Sequence, residues 1–285
     1  MRLPPDEAIV NNTEPGRLTM WVSFLIAVLL SGASLGGLFL PFIYSAETRI
    51  HAAQYVGNDV GNLVLIVPVL MIVAIMALRG SVAARLVWMG TLVYLIYDFL
   101  GYAFGAHFNA MFLAYSSVLG LSFYALAGSF LELPIPEIAR RYGPRTPRKT
   151  IAGVLLFVGV SLIIRWLVEI IPSLLAGRVP QGVHDSGLLT EAVAVLDLAF
   201  GAPACLIAAI LMFQRKPLGF VLGTIVLTFL ALSSVVLVPM GIAMTRRGFE
   251  AGSTLCEIGL GTAIGATVLL ALSLREGKAL SEGKV

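Results

Sequence analysis

Apolar runs of roughly twenty residues recur along this chain, separated by short charged connections, and that pattern leaves few folds open. An α-helix crossing a hydrocarbon core of about 30 Å needs about this length, and in lipid every backbone N–H and C=O must be satisfied within the segment. Of the 285 residues, 58% are hydrophobic and 12% charged. A soluble domain carries about 25% charged residues, so the chain has too little polar surface to cover a water-facing protein. The expected class is an all-α, polytopic transmembrane helix bundle in contact with the lipid bilayer.

Eight segments satisfy the length criterion, at about 20–44, 60–78, 86–104, 110–131, 151–176, 191–213, 218–244 and 252–274. Arg79-Gly80, Gly105-Ala106-His107, Arg215-Lys216-Pro217 and Arg246-Arg247-Gly248 punctuate them. The first nineteen residues hold Asp6 and Glu14 and no small-residue cleavage site, so the first apolar run is expected to be a retained helix rather than a signal peptide. Asn11-Asn12-Thr13 fits the glycosylation pattern, but this end is expected on the cytoplasmic side.

Charge bias orients the bundle. With the N-terminus inside, fourteen of the 19 Lys and Arg residues fall in cytoplasmic segments, among them Arg79, Arg85, Arg140, Arg141, Arg148, Lys149, Arg215 and Lys216. Four fall outside (Arg49, Arg178, Arg246, Arg247), and Arg165 lies within a helix. A seven-helix count would spoil this split in one half of the chain. The reading is a multi-pass protein with both termini cytoplasmic. Basic residues spread over short loops are topology signals, so the net charge of +3 does not indicate a nucleic-acid partner.

Residues 132–150 form a basic, proline-rich stretch with Pro134, Pro136, Pro144 and Pro147, expected to be an irregular linker touching anionic headgroups. It divides the chain into an N-terminal four-helix half, 1–131, and a C-terminal half, 151–285. A faint repeat follows that division. Asn62 stands six residues before Pro68 and Asp197 six before Pro203; Gly90-Thr91 and Gly223-Thr224 follow in the next segments. Duplicated units of four helices insert in the same orientation, which predicts a 4+4 parallel pseudo-repeat.

Intramembrane polar residues carry the functional information, since each needs a partner or water. The third segment places Tyr94, Tyr97, Asp98, Gly101 and Tyr102 along one helical face, where Gly101 would admit a neighbouring backbone or a ligand. Asn109, Tyr115 and Ser122 continue the theme in the fourth. Asn58 and Asp59 read either as N-terminal caps of the second helix or as part of a polar site, whereas Asn62 lies too deep to be a cap. Arg165 and Glu169, at i and i+4, are spaced to pair, as an unpaired mid-membrane charge costs at least ~2.5 kcal/mol. The acids in or bordering the membrane all fall in the outer half, which suggests a polar cavity open to the outside with Arg165 at its floor. The expected binding residues are Asp59, Asn62, Tyr94, Asp98, Tyr102, Arg165, Glu169 and Asp197.

His51, His107 and His184 fall in outer loops and would have to converge to hold zinc, but no HxxxH or HExxH spacing is present. Cys205 and Cys256 form no CxxC and read as buried thiols. There is no Walker A motif and no Lys within a helix to carry retinal, so no cofactor is expected.

Asn109-Ala-Met-Phe-Leu-Ala-Tyr115 after Tyr102-Ala-Phe-Gly105, together with Val195-Leu-Asp197 through Pro203 to Arg215-Lys216-Pro217, resembles a pattern in uncharacterised multi-spanning bacterial integral membrane proteins. That resemblance implies a prokaryotic inner-membrane location and no particular activity. Three functions fit these residues. The first is a transporter-like protein binding a small solute, cation or proton. The second is a non-catalytic sensor or assembly partner whose polar residues knit helices together. The third is a membrane-embedded metal-dependent hydrolase.

Overall fold

The computed structural model describes residues 17–142 and 146–275. Asp6, Asn11 and Glu14 lie outside the described residues, as do Pro144 and Arg145 of the proposed linker and Lys278 and Lys284. Eight helices in the described chain are long and apolar enough to cross a membrane. They are α1 (Arg17–Phe39), α2 (Arg49–Leu78), α3 (Val82–Gly105), α4 (Phe112–Leu131), α6 (Arg148–Leu175), α8 (Ala192–Phe213), α9 (Pro217–Arg246) and α10 (Ala251–Ser273). Two short helices, α5 (Ile135–Tyr142) and α7 (Gln181–Ser186), lie in the connections.

Helix ends follow local chemistry. The first apolar run extends to Tyr44, yet its helix stops at Phe39. Pro41 explains the stop, since it has no N–H to donate and disfavours helical geometry at Leu40. The chain then turns back, and Ile43 and Tyr44 are buried in the bundle. The second helix begins eleven residues earlier than its apolar run, at Arg49, where the Thr48 hydroxyl caps it by accepting from the His51 N–H at 3.5 Å. Asn58 and Asp59 are therefore interior residues of α2, and the capping alternative is overturned. Ser81 caps α3 by accepting from the Ala84 N–H at 3.2 Å.

Two helices contain a single widened turn. Asn62–Ile66 in α2 and Asp197–Gly201 in α8 are π-helical, with the Val67 and Ala202 N–H groups reaching back five residues to Asn62 and Asp197. Pro68 and Pro203 supply the cause: a proline inside a helix lacks the N–H for the usual bond, and its ring collides with the carbonyl four residues before it. Inserting one residue into the turn relieves that collision.

The proline-rich connection is not irregular throughout. Residues Ile135–Tyr142 form the amphipathic helix α5, which packs on α9 and buries Ile138 while Arg140 and Arg141 stay toward solvent. Pro136 is tolerated because the first turn of a helix needs no N–H donors. Arg85 also departs from its expected role as a loop charge. Its side chain is 1% exposed and its guanidinium donates to the Ser129 carbonyl at 3.2 Å and to Glu132 at 3.5 Å. It thus satisfies the carbonyl end of α4, where a cation is favoured.

At the centre of the bundle is α9, with 67% of its spanning window buried, against 17% for α10. It packs on α3, on the first part of α2, and on α8 and α10. Gly57 makes the close approach of α2 possible, since a Cβ there would run into the backbone of Pro239 and Met240. Trp88 ties α3 to α1 by donating its indole N–H to Ser23 Oγ at 2.9 Å.

Candidate functional site

Asp59 is 2% exposed and Asn62 fully buried, and both project from the same side of α2 toward α3. The opposing side of α3 presents Tyr94, Asp98 and Tyr102 at successive i, i+4 positions, one turn apart. Their side chains interlock. Asn62 donates through Nδ2 to Asp98 Oδ2 at 2.9 Å and accepts from the Tyr94 hydroxyl at 2.9 Å. Asn58 donates to Asp98 Oδ1 at 2.7 Å and to the Tyr102 hydroxyl at 3.1 Å. Tyr102 in turn donates to Asp59 Oδ1 at 3.1 Å. Asp98 is half-buried, and both of its carboxylate oxygens are occupied by amide donors.

The loop after α1 completes this network. The Tyr44 hydroxyl donates to Asp59 Oδ2 at 2.6 Å. Burial first, and the adjacent Asp59 carboxylate second, hold the Tyr44 phenol well above its ordinary range, so it remains a donor. Gly37 on α1 leaves the necessary space, as a Cβ there would overlap both the Asp59 carboxylate and the Tyr44 ring. Around these groups the rings of Tyr44, Tyr55, Tyr102 and Tyr115 follow one another at centroid separations of 5.2, 5.0 and 4.9 Å, the first pair stacked and the next two tilted. The Ser34 and Tyr115 hydroxyls are buried beside this network, Ser34 next to Asp59 and Tyr115 next to Tyr44.

A second group stands beside the first. Tyr97, expected on the same face as Asp98, points instead to α8 and donates to Asp197 Oδ1 at 2.8 Å. Trp166 on α6 donates its indole N–H to Asp197 Oδ2, also at 2.8 Å. The face read from the sequence is therefore divided: Tyr94, Asp98 and Tyr102 serve α2, and Tyr97 serves α8. Nothing approaches the position where a Gly101 side chain would stand, so this glycine is not used for a close helix contact.

Arg165 and Glu169 depart furthest from expectation. No ion pair joins them among the described residues. The Arg165 guanidinium lies over the Trp166 ring, 4.0 Å from its centroid, and the side chain is exposed, so it is not the floor of a cavity. A cation over an indole face is attracted by the ring quadrupole, and here it stacks on the tryptophan that holds Asp197. Glu169 is directed at the α6–α8 connection, close to Gly182 and to Glu191. Burial, followed by the Glu169 charge, raises the Glu191 carboxyl above its usual range, while Arg165 opposes this.

The histidines do not assemble a centre. His107 is held by Glu47, which accepts from its backbone N–H at 2.7 Å and lies 3.1 Å from its Nδ1. The described residues contain no group of three or more His, Cys, Asp or Glu placed to hold a metal ion. Asn109 shapes the same loop, accepting from the Met111 N–H at 2.9 Å. Sequence reasoning missed Glu47, Tyr44 and Trp166. Pro41 inside an apolar run was the available signal for Tyr44, and an indole one residue from an intramembrane arginine was the signal for Trp166.

No protein-family model matches the chain, and no curated protein or solved structure is significantly similar to it. Function must be argued from the side chains themselves.

Proposed function

We propose that this integral membrane protein is transporter-like and binds a proton or small cation at the Asp59–Asp98 network. One observation carries the reading: two carboxylates share a hydrogen-bonded cluster between spanning helices, and no Lys or Arg lies within ion-pair distance of either among the described residues. Negative charge in a low-dielectric setting requires compensation. The donors present are amides and phenols, so a bound cation or proton supplies the missing positive charge. Asp197, with Tyr97 and Trp166, forms an adjoining acidic station, while Arg165 and Glu169 belong to its margin.

In the same reading the site opens toward the predicted outer side of a bacterial inner membrane, with both termini cytoplasmic. The chain is a duplication of two four-helix halves, 1–131 and 151–285. Matching widened turns in α2 and α8 support this, as do matching helix contacts. The pairs α2–α3 and α3–α4 correspond to α8–α9 and α9–α10, with α3 packed on α9 between the halves.

The test is flux in proteoliposomes carrying an internal pH indicator under an imposed membrane potential. Addition of Na⁺ or K⁺, or the potential alone, is expected to move protons or cations through the native protein. Asp59→Asn and Asp98→Asn should each reduce that flux at least about tenfold, the effect of losing one charged interaction of ~1.4 kcal/mol or more. Flux or cation binding that is unchanged in both variants would overturn the assignment. It would favour the second reading, a non-catalytic sensor or assembly partner. The observation behind that reading is that Asn58, Asn62, Tyr94 and Tyr102 all find partners within the protein.

A further inference from the structure

At the opposite, basic end of the bundle a separate cavity lies between α5, the start of α6 and the α8–α9 turn. It holds about 180 Å³ and is lined by Arg140, Arg148, Arg215 and Lys216, with Pro217 and Phe220 forming an apolar wall. Each water occupies about 30 Å³ in the liquid, so there is room for a phosphate group and part of its hydration shell. Arg140 is paired with Glu137 at 3.0 Å. No acidic side chain of the described residues lies within ion-pair distance of Arg148, Arg215 or Lys216. Four cations therefore face one cavity with a single acid to offset them.

Backbone geometry at this turn adds an independent observation. Arg215 has φ of 58°, and among the described residues it alone, apart from glycines, has positive φ. It ends α8 in the left-handed conformation that glycine adopts without strain, with the Arg215 and Lys216 N–H groups bonding back to Met212 and Leu211. The corresponding turn after α2 places Gly80 there, with φ of 84°. The α8–α9 turn thus carries a long cationic side chain where the α2–α3 turn has the residue suited to the conformation. Strain of this kind persists only where the surrounding structure holds it, and it clusters at ligand-binding sites. The first turn of the thirty-residue α9, whose Pro217 and Phe220 line the cavity, adds the positive end of a helix dipole.

We infer that this cavity is a binding site for a phosphate group, held by Arg148, Arg215 and Lys216 with Arg140 at its edge. Guanidinium groups match phosphate oxygens through paired N–H donors. The amphipathic α5 places the cavity at the level where lipid headgroups would lie, so the phosphate comes from an anionic lipid or from a soluble phosphate compound. This inference is independent of the Asp59–Asp98 reading.

The test uses the full chain in detergent with zwitterionic phosphatidylcholine. Thermal unfolding and native mass spectrometry are followed while phosphatidylglycerol, or separately inorganic phosphate or pyrophosphate, is added. The native protein is expected to be stabilised and to retain the ligand. Stabilisation by the lipid alone identifies a headgroup site, and stabilisation by the inorganic ions identifies a soluble source. Arg215→Gly should unfold at the same or a higher temperature without ligand, since its strain is relieved, yet bind about tenfold more weakly. Arg148→Gln should weaken binding similarly, whereas Lys149→Gln, outside the cavity, should not. Absence of stabilisation by any of these ligands would overturn the inference. Equal losses in Lys149→Gln and Arg215→Gly would overturn it too, because they would indicate diffuse surface charge.

Discussion

Tyr44 shows how much one side chain can contribute from outside a spanning helix. Its hydroxyl is a donor to the buried Asp59, and removing it leaves a carboxylate oxygen without that partner. Tyr44→Phe is expected to lower the thermal midpoint at neutral pH, consistent with about 1–3 kcal/mol for an unsatisfied buried group. The pH dependence follows from the raised phenol. The folded state keeps the proton on, so its contribution is complete below the unfolded tyrosine value of about 10 and is lost as pH rises beyond it. Unfolding midpoints measured between about pH 8 and 11.5 should therefore fall less steeply above the ordinary tyrosine value of about 10 in Tyr44→Phe than in the native protein. An identical alkaline slope would contradict the role given to this residue. Asp59, Asn62, Tyr94, Asp98 and Tyr102 could all be nominated from sequence because polar groups at helical spacing are conspicuous in apolar runs. Tyr44 reaches the site only through a reversal of the chain, which Pro41 signals without saying which group its hydroxyl meets.

At the scale of elements, the widened turns of α2 and α8 set which residues face the interior. A helix advances about 100° per residue, so one inserted residue rotates everything before it relative to everything after it. In α2 that rotation turns Asn58, Asp59 and Asn62 toward α3 while Val67–Leu78 keeps its own packing. Pro68→Ala restores the missing donor and removes the collision with the Val64 carbonyl, so α2 is expected to relax toward a regular helix. The check is a short thiol cross-linker between cysteines introduced by Asn62→Cys and Asp98→Cys, after Cys205 and Cys256 are replaced by alanine. Cross-linking should be efficient when Pro68 is present and several-fold weaker when Pro68→Ala is added. Unchanged cross-linking would show that packing alone maintains the wide turn. The spacing of Asn62 to Pro68 and of Asp197 to Pro203 was readable in the sequence, but its local consequence was not. A proline signals a disturbed helix without specifying whether the helix kinks, ends or widens.

For the whole molecule, the alternation of eight helices gathers the aspartates within the spanning helices toward one end and most of the basic residues toward the other. Asp59, Asp98 and Asp197 lie roughly 8–15 Å along their helices from the end that carries the 40–48 and 106–111 connections, at about 1.5 Å per residue. Arg79, Arg148, Arg215 and Lys216 lie at the opposite end. The proposed orientation, which rests on the charge bias, puts the basic end in the cytoplasm. Single cysteines introduced by Asn109→Cys and Lys149→Cys, in a background without Cys205 and Cys256, test that assignment. A membrane-impermeant maleimide should label the Asn109 site in intact cells and the Lys149 site only after lysis. The reverse pattern would invert the orientation and place the acidic network on the inner side.

The amino-acid sequence determined the class, the number of spans and most of the polar residues worth naming, and it raised the division into two similar halves as a proposal. These depend on length, apolar content and spacing along a single helix, and such local quantities survive without knowledge of the neighbours. Only the tertiary structure decided which polar groups meet. Arg165 and Glu169 satisfy the i, i+4 rule, yet a tryptophan one residue away takes the arginine. Tyr97 and Asp98 are adjacent in sequence, yet they serve different helices because consecutive residues point about 100° apart. The basic cavity likewise depends on α5 folding back against the α8–α9 turn, some seventy-five residues away along the chain, roughly counted from Arg140 to Arg215. Partner choice in a bundle is a property of helix rotation and packing, and the sequence carries it only in the combination of all its parts.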